Sequence, residues 1–425
     1  MAESFIESTS NLRQENKESA SHVEASKWNE DLDKPADRNL AKDVSVPGQS
    51  KANLDRGSED WLKSLPVIEG ADGSKTYTVP MHVMTNRAVG EEKNGYLGAS
   101  NELAPVRYYD VPVEITVSKN YPQDDFTPKE AKVDWDKIKY FDNVDDFSAD
   151  LKNSEKGAKT RTNFYAHGVF TAGEDAIIAG AGISISAASP GVVVDWAAHP
   201  VSSAANKDAA ANAAKSLTPE QQLELTNKTF LEDVGNAMKS VEQMKEPLDK
   251  LTKDLGEKNV DVEGYSEGGR FVLNYLDQRE NQHESQLGTV FLSHPEVEAE
   301  FLGNHPADCG QFGQMYVLGN MADQALNTGQ RFAYHGLLGL TGSDNYAMGN
   351  LPFSEVNGQP WENSCKNILA IDDSSQNLQA YLRGQKNFHF IDEALAGSLL
   401  RFDKTPDSFA LKEIPGRNRA LLQYR

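Results

Sequence analysis

The stretch NVDVEGYSEGGRFVLNYL, residues 259–276, holds a β-run (Val260, Val262), a glycine-rich turn and a helical run (Phe271, Val272, Tyr275, Leu276). Inside it, Gly264-Tyr265-Ser266-Glu267-Gly268 has the form G-x-S-x-G. Between a strand and a helix this pattern predicts a nucleophile elbow, a sharp turn that presents a serine at the end of a sheet. Such a turn brings neighbouring backbone close, so it demands small residues two before and two after the serine. Gly264, Gly268 and the additional Gly269 meet that demand.

Working outward, the same alternation of strand and helix continues. TYTVPMHVMT (76–85) and VPVEITV (111–117) read as a first pair of strands, and NFYAHGVF (163–170), a Gly/Ala-rich helix from Glu174 and GVVVDW (191–196) read as strand, helix, strand. Thr218-Pro219-Glu220 is an N-cap with proline at the first helical position; it opens a long amphipathic helix that Pro247 should kink and Gly256 should end. LGTVFLSH (287–294), GQMYVLGN (313–320) and NILAIDD (367–373) supply three further strands. The sum is an α/β protein of seven or eight strands in a doubly wound, mostly parallel sheet flanked by helices.

The flanks differ in composition. Residues 1–60 are rich in Ser, Glu, Asn, Lys and Asp without apolar periodicity, and are expected to be a disordered N-terminal tail. The acidic residues 123–149 read as a solvated connector, 199–256 as an insert able to act as a lid, and 401–425 as a C-terminal extension to a domain spanning 75–400. With 64 acidic and 42 basic side chains the net charge is −22, a surface that repels phosphate backbones, so nucleic acid is not an expected partner. Neither a basic n-region followed by an apolar h-region nor a 20-residue apolar span occurs, so a cytoplasmic location is expected, with export by a specialised secretion machine as the alternative. Cys309 and Cys365 allow one bridge at most. Cys365 reads as a small buried hydrophobe, and a reducing compartment is compatible. The nine histidines show no ligand spacing, so no metal site and no cofactor is expected.

A serine hydroxyl needs a histidine base, and the base a carboxylate that fixes its tautomer. In the order Ser, acid, His that follows an elbow of this kind, Asp323 in GNMADQAL is the candidate acid, with Asp308 as the weaker rival. Asp372 and Asp373 come after the last strand expected to carry the acid. His389 in KNFHFIDEAL is the candidate base; His294 and His305 precede Asp323 and break the order, and His335 falls inside an apparent helix. The oxyanion hole needs two backbone N–H donors, assigned to Glu267 and to Val169, with Phe170 as the alternative to Val169. Gly168 lets that loop approach, and His167 reads as a loop brace rather than a base.

In order along the chain, VMTNRAV (83–89), YYDVPVEITV, FYAHGVFT, VVVDWAAHP, VEGYSEGGR, FLSHPEVEAEFL, MYVLGNMADQAL, NILAIDD and FHFI carry a distributed likeness over residues 77–400. By these pieces the chain resembles a bacterial α/β-hydrolase family of unknown function within the esterase/lipase superfamily. The resemblance implies an α/β-hydrolase fold with Ser266 as nucleophile, Asp323 as acid and His389 as base, coinciding with the assignment from the residues. Tyr265 and Glu267 stand where the family has His and Met, and Val169-Phe170 where it has Phe-Asn. The expected activity is that of a serine esterase or lipase on a small-molecule or lipid ester; the alternative is a binding module or secreted effector with an impaired site, for which Glu267 beside the nucleophile is the argument.

Overall fold

The computed structural model describes residues 58–88, 101–119, 121, 128–158, 160–171, 173–199, 218–279, 286–299, 301–319, 348–350, 355–356, 359–372, 409–415 and 417–424. In chain order the elements are α1 (Glu59–Ser64), β1 (Val67–Glu69), β2 (Lys75–Arg87), β3 (Leu103–Val117), β4 (Glu130–Val133), β5 (Lys139–Phe141), α2 (Val144–Ala158), β6 (Thr162–Ala166), α3 (Gly173–Ala187) and β7 (Gly191–Asp195). After these come α4 (Pro219–Leu255), β8 (Val260–Tyr265), α5 (Glu267–Gln278), β9 (Leu287–Ser293), α6 (Phe301–Asn304), β10 (Phe312–Gly319), β11 (Glu355–Val356), β12 (Gln359–Pro360), β13 (Ile368–Asp372), β14 (Phe409–Glu413) and β15 (Arg419–Tyr424).

One sheet runs β14-β15-β13-β10-β9-β8-β6-β7-β2-β3-β4, with β1 on β2 and β5 on β3. From β2 through β13 to β15 neighbouring strands are parallel, whereas β3 lies antiparallel on β2 along almost its whole length. Central strands such as Gly191-Val-Val-Val-Asp195 are buried throughout, as parallel strands must be when helices cover both faces. Alternate residues feed the two cores. Val192 and Val194 join Phe164, Val262 and Phe271 under α2, α4 and α5, while Val193 joins Met81, Val83 and Ile177 under α1 and α3. Strand order reverses at β6: β7 lies on one side of it and β8 on the other, with α3 and α4 crossing on opposite faces. That reversal opens a crevice at the carboxyl ends of β6 and β8, the place where open α/β sheets bind ligands. The architecture is the open, mostly parallel sheet of an α/β-hydrolase-like fold.

The eight strands read from the sequence are β2, β3, β6 to β10 and β13, and α4 starts at a capping box (Thr218 with Gln221) and stops at Gly256, whose φ of 81° a side chain would strain. Four readings of the flanks change. Order begins before residue 60, because Ser58 caps α1 and Trp61 is buried; residues 1–57 lie outside the described residues. The acidic connector is structured: β4, β5 and α2 form there, anchored by the buried Val133, Phe147 and Leu151. Within 401–425, the described residues 409–415 and 417–424 are no appendage, since β15 pairs with β13 and the buried Arg419 meets Glu362 at 3.0 Å. Finally, Cys365 is buried in the core, as read, and forms with Cys309 the one bridge the sequence allows, which qualifies the reading of a reducing compartment. The insert 199–256 is not detached from the core either. From Ala237 onward α4 contributes Val241, Met244, Leu248 and Leu251 to the main cluster. Among the described residues no helix is long and apolar enough to cross a membrane.

Candidate active site

β8 delivers Ser266 at the carboxyl edge of the sheet, and the chain turns there into α5. Ser266 has φ 51° and ψ −118°, a conformation that L-residues avoid. Three backbone hydrogen bonds fix it: its N–H donates to Ser293 O (2.8 Å), and its carbonyl accepts from Gly269 N–H (2.9 Å) and Glu296 N–H (3.1 Å). The glycines around it are set by close approach. A Cβ on Gly268 would stand 2.1 Å from Ala166 O, and one on Gly264 2.6 Å from Gly268 O. The side chain of Ser266 is half-buried, and its hydroxyl makes no capping bond to α5.

The loop after β6 lies against this elbow, because a Cβ on Gly168 would come within 3.0 Å of Ser266 Cβ. Phe170, at φ 56°, donates its N–H to Asp233 Oδ2 (3.1 Å). Of the two residues considered as second oxyanion donor, then, Phe170 has its amide engaged by a carboxylate, while Val169 N–H makes no hydrogen bond to a described residue. Glu267 is the first residue of α5, so its N–H is one of the helix-start amides without an intrahelical partner.

Behind the loop lies a buried polar network that the sequence reading did not assign. Asp195 accepts from Thr85 Oγ1 (2.8 Å) and Arg87 Nε (2.7 Å), and His167 Nε2 stands 3.1 Å away. Burial works against the Asp195 charge, but Arg87 and His167 outweigh it and hold its pKa down at about 2. Arg87 also donates to the carbonyls of Ala198 and of Thr171 (2.7 Å), tying the ends of β2, β7 and the β6 loop together. His167 is fully buried, stacks on Trp196 with ring centroids 5.0 Å apart and donates from Nδ1 to Gly168 O (2.8 Å). Its surroundings are those of a brace. Asp233, on α4, binds the β6 loop through Phe170 and the β7 loop through His199 N–H (2.9 Å) and Nδ1 (2.6 Å). The signal for Arg87 and Asp195 sat in VMTNRAV and VVVDW; nothing in LEDVG marked Asp233.

Glu267 does not face solvent. Its carboxylate is buried and stands 2.8 Å from Arg270 Nε, and Arg270 in turn holds Glu298 (3.1 Å) and Glu296 O (2.7 Å). Burial pushes its pKa up and Arg270 opposes the rise. Asp323 and His389 lie outside the described residues, as do His335 and Asp373. Asp308 is at the opposite edge of the sheet from Ser266, ahead of the first residue of β10, and burial raises its pKa to about 6. His294, set aside on chain order, follows β9 directly, next to the strand that carries the elbow, with φ 45° and its N–H on Leu318 O (2.9 Å). His305 bonds Phe301 O on the far side of β10.

No protein-family model matches the chain, and no curated protein sequence matches it. Among solved structures it is similar to an esterase/lipase from an uncultured bacterium, at 10% identity over 86% of this chain and 97% of that one, with a TM-score of 0.27. The Francisella virulence factor BioJ matches at 12% identity over 77% and 73% of the two chains, TM-score 0.24. Prolyl oligopeptidase B from Galerina marginata matches at 9% identity over 79% of this chain and 49% of that one, TM-score 0.27. Superpositions this loose carry no argument about the site.

Proposed function

We propose that the protein is a serine hydrolase that cleaves a carboxylic ester. The observation that carries this reading is Ser266 itself, a half-buried serine at φ 51° and ψ −118° at the end of β8, beside the point where strand order reverses. A strained turn of this kind is maintained against its conformational cost where a side chain has to be presented. His389 takes the Ser266 proton as Oγ attacks the ester carbonyl, the C–O bond to the alcohol breaks, and the alcohol leaves with that proton. Water, deprotonated by the same histidine, then releases the acid and restores Ser266. Asp323 orients His389, and the N–H groups of Glu267 and Val169 hold the oxyanion. The substrate class is a small-molecule or lipid ester. The Cys309–Cys365 disulfide favours the exported alternative over a cytoplasmic location, since such bonds persist in oxidising surroundings.

Fluorophosphonate labelling of the purified protein tests the reading. Stoichiometric labelling that disappears in Ser266→Ala supports it, and an unlabelled folded protein overturns it.

One observation favours a second reading, a binding module with an impaired site: the buried carboxylate of Glu267 stands on the residue whose amide would face the oxyanion. The two readings separate in Glu267→Gln. In an active enzyme whose Glu267 charge opposes the oxyanion, nitrophenyl ester turnover rises a few-fold, most at alkaline pH where a carboxyl of raised pKa is ionised. A module stays inert in both forms.

A further inference from the structure

Away from the elbow, on the β2–β3 edge of the sheet, three ligand-type side chains converge under α2. His82 of β2 is opposite Asp110 of β3 in the antiparallel ladder, and Asp150 of α2 closes over the pair. His82 Nε2 lies 3.6 Å from Asp110 Oδ1 and 3.5 Å from Asp150 Oδ2. The histidine is 1% exposed, yet neither ring nitrogen has a hydrogen-bond partner among the described residues, and the buried Asp110 Oδ1 has none either. Leaving such groups unmet in a core costs free energy that a bound cation would offset.

The separations identify what would meet them. They exceed normal hydrogen-bond lengths, but they match the edge of a coordination tetrahedron, about 3.4 Å for ligands about 2.1 Å from the ion. One imidazole nitrogen with two carboxylate oxygens is a donor set for a borderline divalent ion; the hard cations Ca²⁺ and Mg²⁺ take oxygen ligands and more of them. Phe147 packs edge-on against the imidazole at 5.7 Å between centroids and holds its plane. Asp150 keeps a third of its side chain exposed, which gives an entry path and room for a water as fourth ligand. Lys139 of β5 binds the other Asp150 oxygen, leaving Oδ2 for the ion as a monodentate ligand.

The geometry points to a Zn²⁺ site formed by His82 Nε2, Asp110 Oδ1 and Asp150 Oδ2, a clamp that fastens α2 to the β2–β3 edge. It is separate from the elbow, because β7 and β6 lie between β2 and β8. Sequence spacing could not show it, since the three ligands come from three elements.

The test uses the full chain stripped with a chelator and then titrated with ZnCl₂, read by bound-metal stoichiometry and by thermal unfolding. One Zn²⁺ per chain and a Tm rise of about 3 °C at saturating metal are expected. Both should be lost in Asp150→Asn, whose partly exposed position makes misfolding a small concern, and in Asp110→Asn, with far-UV circular dichroism verifying that each variant is folded. Lys139→Met, which removes the competing cation, should tighten binding by up to about five-fold. A chain that retains no Zn²⁺, or one whose Zn²⁺ binding is untouched by both asparagine variants, overturns the site and leaves His82 as a polar contact between two aspartates.

Discussion

Ser266→Ala is expected to lower kcat for a nitrophenyl ester on the order of 10⁵-fold while the fold survives. Among the described residues the hydroxyl makes no hydrogen bond that alanine would lose, and the turn is fixed by the backbone groups of Ser293, Gly269 and Glu296, which alanine leaves in place. What remains should be the part supplied by binding and the oxyanion amides, so KM changes little. His389→Ala should fall nearly as far and the double variant no further, because a nucleophile without its base and a base without its nucleophile are equally idle. Asp323→Asn should cost about 10⁴-fold. His294→Ala is the control: it lies beside the elbow, and a loss there equal to that of Ser266→Ala, with His389→Ala inert, would transfer the base to His294.

Arg87→Met should destabilise the protein by about 3–5 kcal/mol at neutral pH, measured by urea unfolding, because it leaves the buried Asp195 carboxylate without its principal counter-charge. The pH dependence should invert as well. In the native protein Asp195 titrates at about 2, below an unfolded aspartate at about 3.9, so its contribution is complete above the unfolded value and is lost as pH falls through 2. Without Arg87, burial dominates and the folded pKa lies above the unfolded one. The variant should then be least stable at neutral and alkaline pH and recover part of its deficit on acidification. A variant as stable as the native protein at pH 7, or one whose deficit deepens on acidification, would contradict this account of Asp195.

The central sheet was legible because its strands are compact runs of Val, Ile, Leu and Phe between glycines and polar turns, and the elbow because Gly264, Ser266 and Gly268 have no substitutes at such close backbone contact. Residues 123–149, read as a solvated connector, were misread for the opposite reason. Among the described side chains their surface strands and helix bury only Val133, Phe147, Ser148 and Leu151, too few apolar positions to stand out from the charges around them. Residues 401–425 were read as a C-terminal extension, yet Arg419 in RALLQY is buried on Glu362, a pairing that joins residues far apart in the chain. Asp233 and His82 were hidden likewise: a single polar residue in a helix or an apolar strand gains its meaning from what other elements bring to it.

The Arg87–Asp195 pair spans 108 positions along the chain, and β8 enters the sheet beside β6 at a comparable remove. Contacts of such range close large loops before any packing rewards them. The turn at Ser266 is fixed by Ser293, Gly269 and Glu296, but the loop after β6 that faces it is braced only once β2, β7 and β6 have met, which makes the crevice a late event in folding. The return of native intrinsic tryptophan fluorescence should precede the return of fluorophosphonate reactivity, and early species, with β6 still an open edge, should be the ones that aggregate.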